Sequence, residues 1–495
     1  MLPVERGGLV VRAWIQHAAF QQSIREELAK LPPAIREKAH LWEDELFFVW
    51  HAELDALGPT VCRRYSSIGR PARDPAAMLR CMLLMTLCKC RRITDWALRL
   101  RREPVLTVAC GFAADDPPAV ATCYDFLDRL SPGIRRRYAL RRPSARRLQL
   151  RAGEKLPPKR RGVLNRLVRR LMRVTELRPT DPGGAWNEML LHTAVVSAQR
   201  GLIPQASGAT VAGDGTHLES GCYSHGHKTC QCPKSRPCEH PRLYTDPGAL
   251  NGWDSYRTRC VVGRTLFTLA EAESGHGLPL WLVLSPGNRH DSLAGAIAVH
   301  GATLAYHDTP LSFRRGLFDS AHEGEGFLRL CHHDRMDPIV ARAKRAIKPK
   351  AATLRRLAKD GIHLEHTGVP VCGAGHPMRS RGPSKPHVWA WTCPLADKCP
   401  TPCAYRHRAL CLNATLDPRA LTPTPGATPA RARLFNRRTA VERWHAWLDL
   451  SEVQNALHRR DHLWWGRCGL AALVCHLRLW GADRQPGWLQ SLLLS

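Results

Sequence analysis

Three carboxylates stand where this chain of 495 residues could use them for metal chemistry. Asp214 closes a short apolar run in Ala209-Thr-Val-Ala-Gly-Asp-Gly-Thr216, and Asp319 closes another in Gly316-Leu-Phe-Asp-Ser-Ala-His322. Glu442 sits early in a helical stretch, flanked by Arg438 and Arg443. Two aspartates at strand ends and one helical glutamate can converge on a pair of divalent cations about 3.5–4 Å apart. Hard oxygen donors of this kind suit Mg²⁺ or Mn²⁺. One ion of such a pair activates an attacking oxygen and the other stabilises the leaving oxygen. Taken singly, each acid reads equally well as a turn or helix cap, Asp319 before Ser320 above all.

Cysteine is the second chemical resource, with 19 residues. Cys222, Cys230, Cys232 and Cys238 fall within 17 residues, interleaved with His225, His227 and His240. Cys372, Cys393, Cys399 and Cys403 form a looser group with His376, His407 and Cys411. Tetrahedral Zn²⁺ takes four such ligands, and Cys399-x₃-Cys403 has a common ligand spacing, whereas Cys-x-Cys at 230–232 does not. For both clusters, structural Zn²⁺ and reduced thiols in small hydrophobic turns remain open alternatives. Cys81, Cys88 and Cys475 lie in apolar helical settings and read as core. Nothing after Met1 forms a signal-peptide apolar stretch, with Glu5 and Arg6 following at once, so a reducing cytoplasm is expected.

The elements that must position these residues follow from periodicity. Residues 1–132 read as a helical N-terminal domain, with a break at Pro32-Pro33 and a helix opened by Asp74-Pro75. From residue 186 the pattern is mixed α/β: a helix at 186–199, strands at 209–213, 258–270, 278–284 and 316–318, and helices at 292–306, 322–331, 439–457 and 470–480. Cys-rich insertions are expected at about 220–243 and 345–432, the latter without periodicity at 414–432.

Between these units the charge is concentrated. Lys and Arg number 73 against 43 Asp and Glu, a formal +30, and Arg alone accounts for 60. Residues 135–173 hold 16 basic residues and one acid, Glu154. Within a basic linker and amphipathic helix at 133–185, Leu164, Leu167, Val168 and Leu171 share one helix face over 163–177, opposite Arg166, Arg169, Arg170 and Arg173. This balance sets aside an enzyme of small acidic metabolites and points to a polyanion, although a GC-rich coding sequence contributes to the arginine content. No apolar run approaches the roughly 18 residues of a membrane span, so nucleic acid is favoured over a membrane as partner.

Residues 208–480 resemble the DDE-type transposases of bacterial insertion sequences. The landmarks are Gly213-Asp-Gly-Thr216, Tyr244-Thr-Asp-Pro247 with Gly252-Trp-Asp254, Leu278-Pro-Leu280, Pro286-Gly-Asn-Arg-His-Asp291, Phe318-Asp-Ser-Ala-His322 and Phe435-Asn-Arg-Arg-Thr-Ala-Val-Glu-Arg443. Gly111-Phe112, Pro117-Pro118 and residues 122–126 resemble the helical domain that precedes such cores. The resemblance implies an RNase H-like mixed-sheet α/β core over 186–495, with Asp214, Asp319 and Glu442 as its metal-binding catalytic triad. In the signature around the glutamate, Arg438 and Glu442 fit, Phe435 lacks the tyrosine hydroxyl, and Asp449 replaces a cationic DNA contact. Asp291 matches an Asn-x-x-Asp element and is read as a cap of the following helix. His322 reads as a partner of Asp319 or as an exposed histidine.

The resemblance further implies cleavage of transposon-end DNA and strand transfer to target DNA, with terminal inverted repeats as ligand and a homodimer on paired ends. Arg438, Arg160, Arg161, Arg166, Arg169, Arg170 and Arg173 are the expected DNA contacts, in a cytoplasmic, nucleoid-associated bacterial protein. Two other functions share the same features: a catalytically inactive, zinc-containing DNA-binding derivative, and a structure-selective nuclease that does not join ends.

Overall fold

The computed structural model describes residues 14–66, 71–131, 139–141, 162–177, 183–205, 208–223, 226–233, 240–254, 257–341, 349–365, 368–385, 387–399, 404–422, 424, 429–481 and 485–494. Arg160, Arg161, Cys238 and Cys403 lie outside the described residues, as does most of the basic linker.

The N-terminal unit is helical, as its periodicity predicts: α1 (His17–Lys30), α2 (Glu43–His51), α3 (Pro75–Leu87), α4 (Ile93–Arg102), α5 (Pro104–Cys110) and α6 (Val120–Leu130). The Asp74 carboxylate caps α3, accepting the N–H groups of Ala76 at 3.2 Å and Ala77 at 2.8 Å, with Pro75 in the first turn. α3 is apolar around its circumference except for Arg80 and Thr86, and it is buried along almost its whole length, Arg80 stacking on the Phe20 ring. α7 (Val163–Leu171) follows and is shorter than the 163–177 its pattern suggests. It buries Val168 and leans Leu164 and Leu167 on the core, while Arg166, Arg169, Arg170 and Arg173 are exposed.

After α8 (Gly184–Gln199) comes a six-stranded mixed sheet of β1 (Ala209–Glu219), β2 (Leu250–Asp254), β3 (Arg259–Glu271), β4 (Pro279–Pro286), β5 (Phe313–Phe318) and β6 (Asp337–Val340). β3 pairs antiparallel with β1 on one side and with β2 and β4 on the other. β5 runs parallel to β1, and β6 parallel to β5. Asn187 of α8 exchanges two 2.9 Å hydrogen bonds with the Leu282 backbone, satisfying part of the β4 edge.

β1 is longer than its apolar run predicts. Its parallel pairing with β5 ends at Gly213–Phe318, but its antiparallel pairing with β3 continues to Glu219. Asp214 therefore lies mid-strand, one residue past the end of the parallel ladder.

α9 (Asp291–Tyr306) and α10 (Glu325–His333) follow in the chain, and α13 (Thr439–Leu450) covers β1 and β3. Alternation along β1 fixes which helix each residue meets. Thr268, paired with Asp214, accepts a hydrogen bond from Trp444 Nε1 of α13 at 3.0 Å, and Gly215 faces Asp291 of α9. Two helices differ from the periodicity. The 322–331 stretch divides into a turn at Ser320–His322 and α10 beyond Gly324, and the 439–457 stretch ends as a regular helix at Leu450.

The long helix α14 (Asp461–Leu477) packs on α3, α6 and α8. Gly469 permits the close approach, since a Cβ there would lie 2.4 Å from the Trp186 ring. One continuous hydrophobic cluster consequently runs from Phe20 of α1 through the sheet to α14. Residues 349–424 are built separately. α11 (Ala351–Lys359) and an antiparallel sheet of β7 (Arg379–Lys385), β8 (Val388–Thr392) and β9 (Leu410–Asn413) enclose a second, small cluster around Leu357, Ile362, Trp391, Leu410 and Leu412. α12 (Pro429–Asn436) leads back to the sheet. A further small sheet joins Ala139–Arg141, Arg242–Tyr244 and His227–Lys228. No helix among the described residues is long and apolar enough to cross a membrane.

Candidate active site

The parallel pair β1 and β5 brings Asp214 and Asp319 side by side, each directly following the last residue pair of the parallel ladder, Gly213–Phe318. α13 supplies the third acid. Arg438, just before that helix, donates from Nη1 to Asp214 Oδ2 at 3.1 Å and from Nη2 to Glu442 Oε1 at 2.5 Å. The guanidinium thus joins a strand acid to a helix acid one turn away. Asp214 and Arg438 are mostly buried, at 24% and 22% exposure, while half of the Glu442 side chain faces solvent.

Asp319 both caps a turn and belongs to the cluster. Its Oδ1 accepts the Ala321 N–H at 3.2 Å and a 2.6 Å hydrogen bond from His322 Nδ1. Burial pushes its carboxyl up, but the His322 hydrogen bond and charge, the Ala321 N–H and Arg438 outweigh this and leave it below the ordinary carboxylate range. His322 is fully buried, and so is not the exposed histidine the sequence allowed. It packs among the rings of Phe267, Phe318 and Phe327, at centroid distances of 5.4, 5.2 and 4.8 Å. Gly295 of α9 makes room for it, because a Cβ there would lie 2.6 Å from His322 Nε2.

Two further residues join the cluster. The side chain that caps α9 is His290, which accepts the Ser292 N–H, and not Asp291 as its position suggested. Asp291 instead turns toward the acids. A Cβ on Gly215 would lie 2.7 Å from its Oδ1, and its carboxyl is raised by burial first and then by the charges of Asp214 and Asp319. The Asn-x-x-Asp element carried this signal, although a cap explained it equally well. His445, one turn along α13 from Val441, had no signal in the sequence. Burial holds it at about 4, and Asp214 and Arg438 are its charged neighbours.

Four carboxylates, two largely buried imidazoles and one guanidinium therefore meet at one end of the parallel ladder. Asp214, Asp319 and Glu442 offer only hard oxygens, the donor set a divalent ion of the Mg²⁺ type requires. Arg438 meets part of their demand for positive charge. A separate cavity of about 560 Å³, lined by Arg63, Trp281, Ile297 and Trp465 among others, shares no lining residue with this cluster.

Residues 44–129, from α2 to α6, match a family model described as Transposase domain (DUF772). The match supports a transposase family. No curated protein matches the chain. The matched residues include Arg91, which reaches the core by donating to Glu452 beyond α13 at 2.9 Å, and Cys90, whose carbonyl accepts a hydrogen bond from Arg467 of α14 at 2.5 Å.

The cysteines divide. Cys230 and Cys232 lie with His240 so that one ligand atom of each falls within 4.8 Å of the others. Cys222 stands apart beside Ser220, with its thiol pushed up by burial. Cys372, Cys393 and Cys399 are all buried, Cys372 within the small cluster, and form no such group among the described residues. Tertiary packing assembles two His/Asp groups that carry no motif in the sequence, His300–His333–Asp334 and His332–Asp337–His387. In the first, His300 is held at Nδ1 by Asp334 at 3.1 Å and at Nε2 by the Val174 carbonyl at 3.0 Å, tying the end of the basic segment to α9.

Proposed function

We propose that this chain is a DDE-type transposase with an RNase H-like core, which cuts transposon-end DNA and joins the freed 3′-hydroxyl to target DNA. The observation that carries this is the junction of Asp214, Asp319 and Glu442 through Arg438 and the parallel ladder. The sheet supports it too: in chain order four antiparallel strands, β1 to β4, are followed by the parallel β5 and β6, with Asp214 in β1 just past the parallel ladder and Asp319 directly after β5. The N-terminal family match agrees on DNA transposition.

In this reading, Asp214, Asp319 and Glu442 hold Mg²⁺ or Mn²⁺, which when bound supplies the Lewis acidity that activates the attacking oxygen and neutralises the leaving one. His322 fixes the Asp319 carboxylate and keeps it ionised. Asp291 adds negative charge behind the pair, and Gly215 lets it approach. Arg438 keeps the acids from repelling one another, and a DNA phosphate can take up its guanidinium. The exposed arginines of α7, Arg166, Arg169 and Arg170, and Arg173 just beyond it, contact the phosphate backbone, with Arg160 and Arg161 preceding them. Cys230, Cys232 and His240 supply three ligands of a structural Zn²⁺, for which Cys238 is the fourth candidate. The partners are terminal inverted repeats, target DNA and a second copy of the chain on paired ends.

The test is cleavage and joining of inverted-repeat DNA in Mg²⁺ by the full chain and by Asp214→Ala. The expected result is loss of both products in the variant, with DNA binding retained. Joining by Asp214→Ala at the wild-type rate would make the triad assignment wrong, and binding without cleavage by the wild type would indicate an inactive derivative. Cleavage without joined ends would indicate a nuclease.

A further inference from the structure

His332, Asp337 and His387 share no residue with the acid cluster and have no role in the proposed chemistry. His332 is in the last turn of α10, Asp337 opens β6, and His387 sits in the turn between β7 and β8, 55 residues from His332. His332 Nδ1 and His387 Nδ1 are 3.1 Å apart, His387 Nδ1 and Asp337 Oδ1 are 3.3 Å apart, and one ligand atom of each residue falls within 4.8 Å of the others.

Two imidazole nitrogens facing each other at this distance can share one proton at most. Around a tetrahedral zinc with Zn–N and Zn–O bonds near 2.0–2.1 Å, neighbouring ligand atoms lie roughly 3.3 Å apart, the spacing seen here. His332 is buried, and its Nε2 has no hydrogen-bond partner. His387 adopts φ of 60°, in the left-handed region that side chains rarely occupy.

The location also calls for a fastener. Residues 349–424 enclose only a small hydrophobic cluster, separate from the main one. Small units with so little apolar burial are commonly held by a metal or disulfide. Near the junction, Lys350 Nζ donates to Glu325 Oε1 of α10 at 2.8 Å, and Arg431 of α12 donates to the Val340 carbonyl of β6. The candidate ligands span the same boundary, two from the sheet unit and one from the separate unit.

We propose that His332, Asp337 and His387 bind a structural zinc ion that fastens the 349–424 unit to α10 and β6, with water as the fourth ligand. This site is independent of the catalytic reading, and of the cysteine sites, since it uses none of their residues.

The experiment is zinc content per chain, by elemental analysis of the full-length protein after exhaustive dialysis, for the wild type, His387→Ala, His332→Ala and the double variant. Each single variant is expected to carry one zinc fewer than the wild type, and the double variant also one fewer, because both side chains hold the same ion. His387→Cys, which keeps a ligand at the half-buried turn position, is expected to restore the lost zinc. This second variant distinguishes a lost ligand from a misfolded chain. Equal zinc content in the wild type and His387→Ala, no recovery in His387→Cys, or a double variant lacking two zinc ions would each overturn the proposal.

Discussion

The acid-bearing sheet and the 349–424 unit both gather polar side chains at strand ends, but they hold them by different means. Around Asp214, Asp319 and Glu442 the scaffold consists of long elements sunk in one continuous hydrophobic cluster, and Trp444, Phe267 and Phe318 pack directly beneath the acids. The 349–424 unit has short strands around a small cluster, and its link to the rest runs through ion pairs, buried carbonyl contacts and the His332–Asp337–His387 group. A catalytic constellation must be held to within about half an ångström, which a deep core provides. A unit that only has to stay attached can rely on polar fasteners.

Cavity-forming substitutions should divide along this line, and they carry the largest expected effect. Trp444 is 1% exposed, in the main cluster, and Trp391 is 2% exposed, in the small one. Replacing Trp444 with Ala is expected to cost about 3–5 kcal/mol of global stability, read as a lower denaturation midpoint of the whole chain. Trp391→Ala is expected to loosen only the 349–424 unit, read as faster proteolysis of the β7–β8 hairpin with the main unfolding midpoint unchanged. A common shift of the main midpoint in both variants would remove the distinction.

A smaller effect sharpens the same contrast. His476 is fully buried where α14, α8 and β4 meet, donating from Nε2 to the Pro279 carbonyl at 2.8 Å and paired through Nδ1 with Ser197 at 2.9 Å. Burial holds it at about 4, below the ordinary imidazole value. As pH falls, the unfolded chain takes up this proton first, so the stabilisation is complete above about pH 6.5 and is lost progressively down to about pH 4. The slope is roughly 1.4 kcal/mol per pH unit at most for one such histidine. Denaturant melts of the wild type and His476→Gln across that window check it, the variant being expected to show the shallower slope.

Much of this arrangement is legible in the sequence. The apolar runs ending at Asp214 and Asp319, and the i, i+4 spacing of Arg438 and Glu442, follow from strand and helix periods, because a deep core imposes those periods on the chain. What escapes is whatever depends on a neighbour distant in sequence. The continuation of β1 past Asp214 depends on pairing with β3. The turn of Asp291 toward the acids depends on Gly215 being bare. The meeting of His332 with His387 depends on how two units dock. The cysteine groups fall between these cases: their density is visible, but Cys222 proves separate from Cys230 and Cys232, the backbone beside it at Gly221 being tied to Leu457 and Arg459.

The most direct measurement is the yield of joined product from inverted-repeat DNA in Mg²⁺ for Asp319→Asn beside the wild type, with DNA binding followed in parallel. Asp319→Asn keeps the side-chain shape but removes the charge that His322 stabilises and that would face the metal. The expected outcome is binding like the wild type and no joined product. Joined product in Asp319→Asn at wild-type yield would contradict the assignment of the strand-end acids to the chemistry.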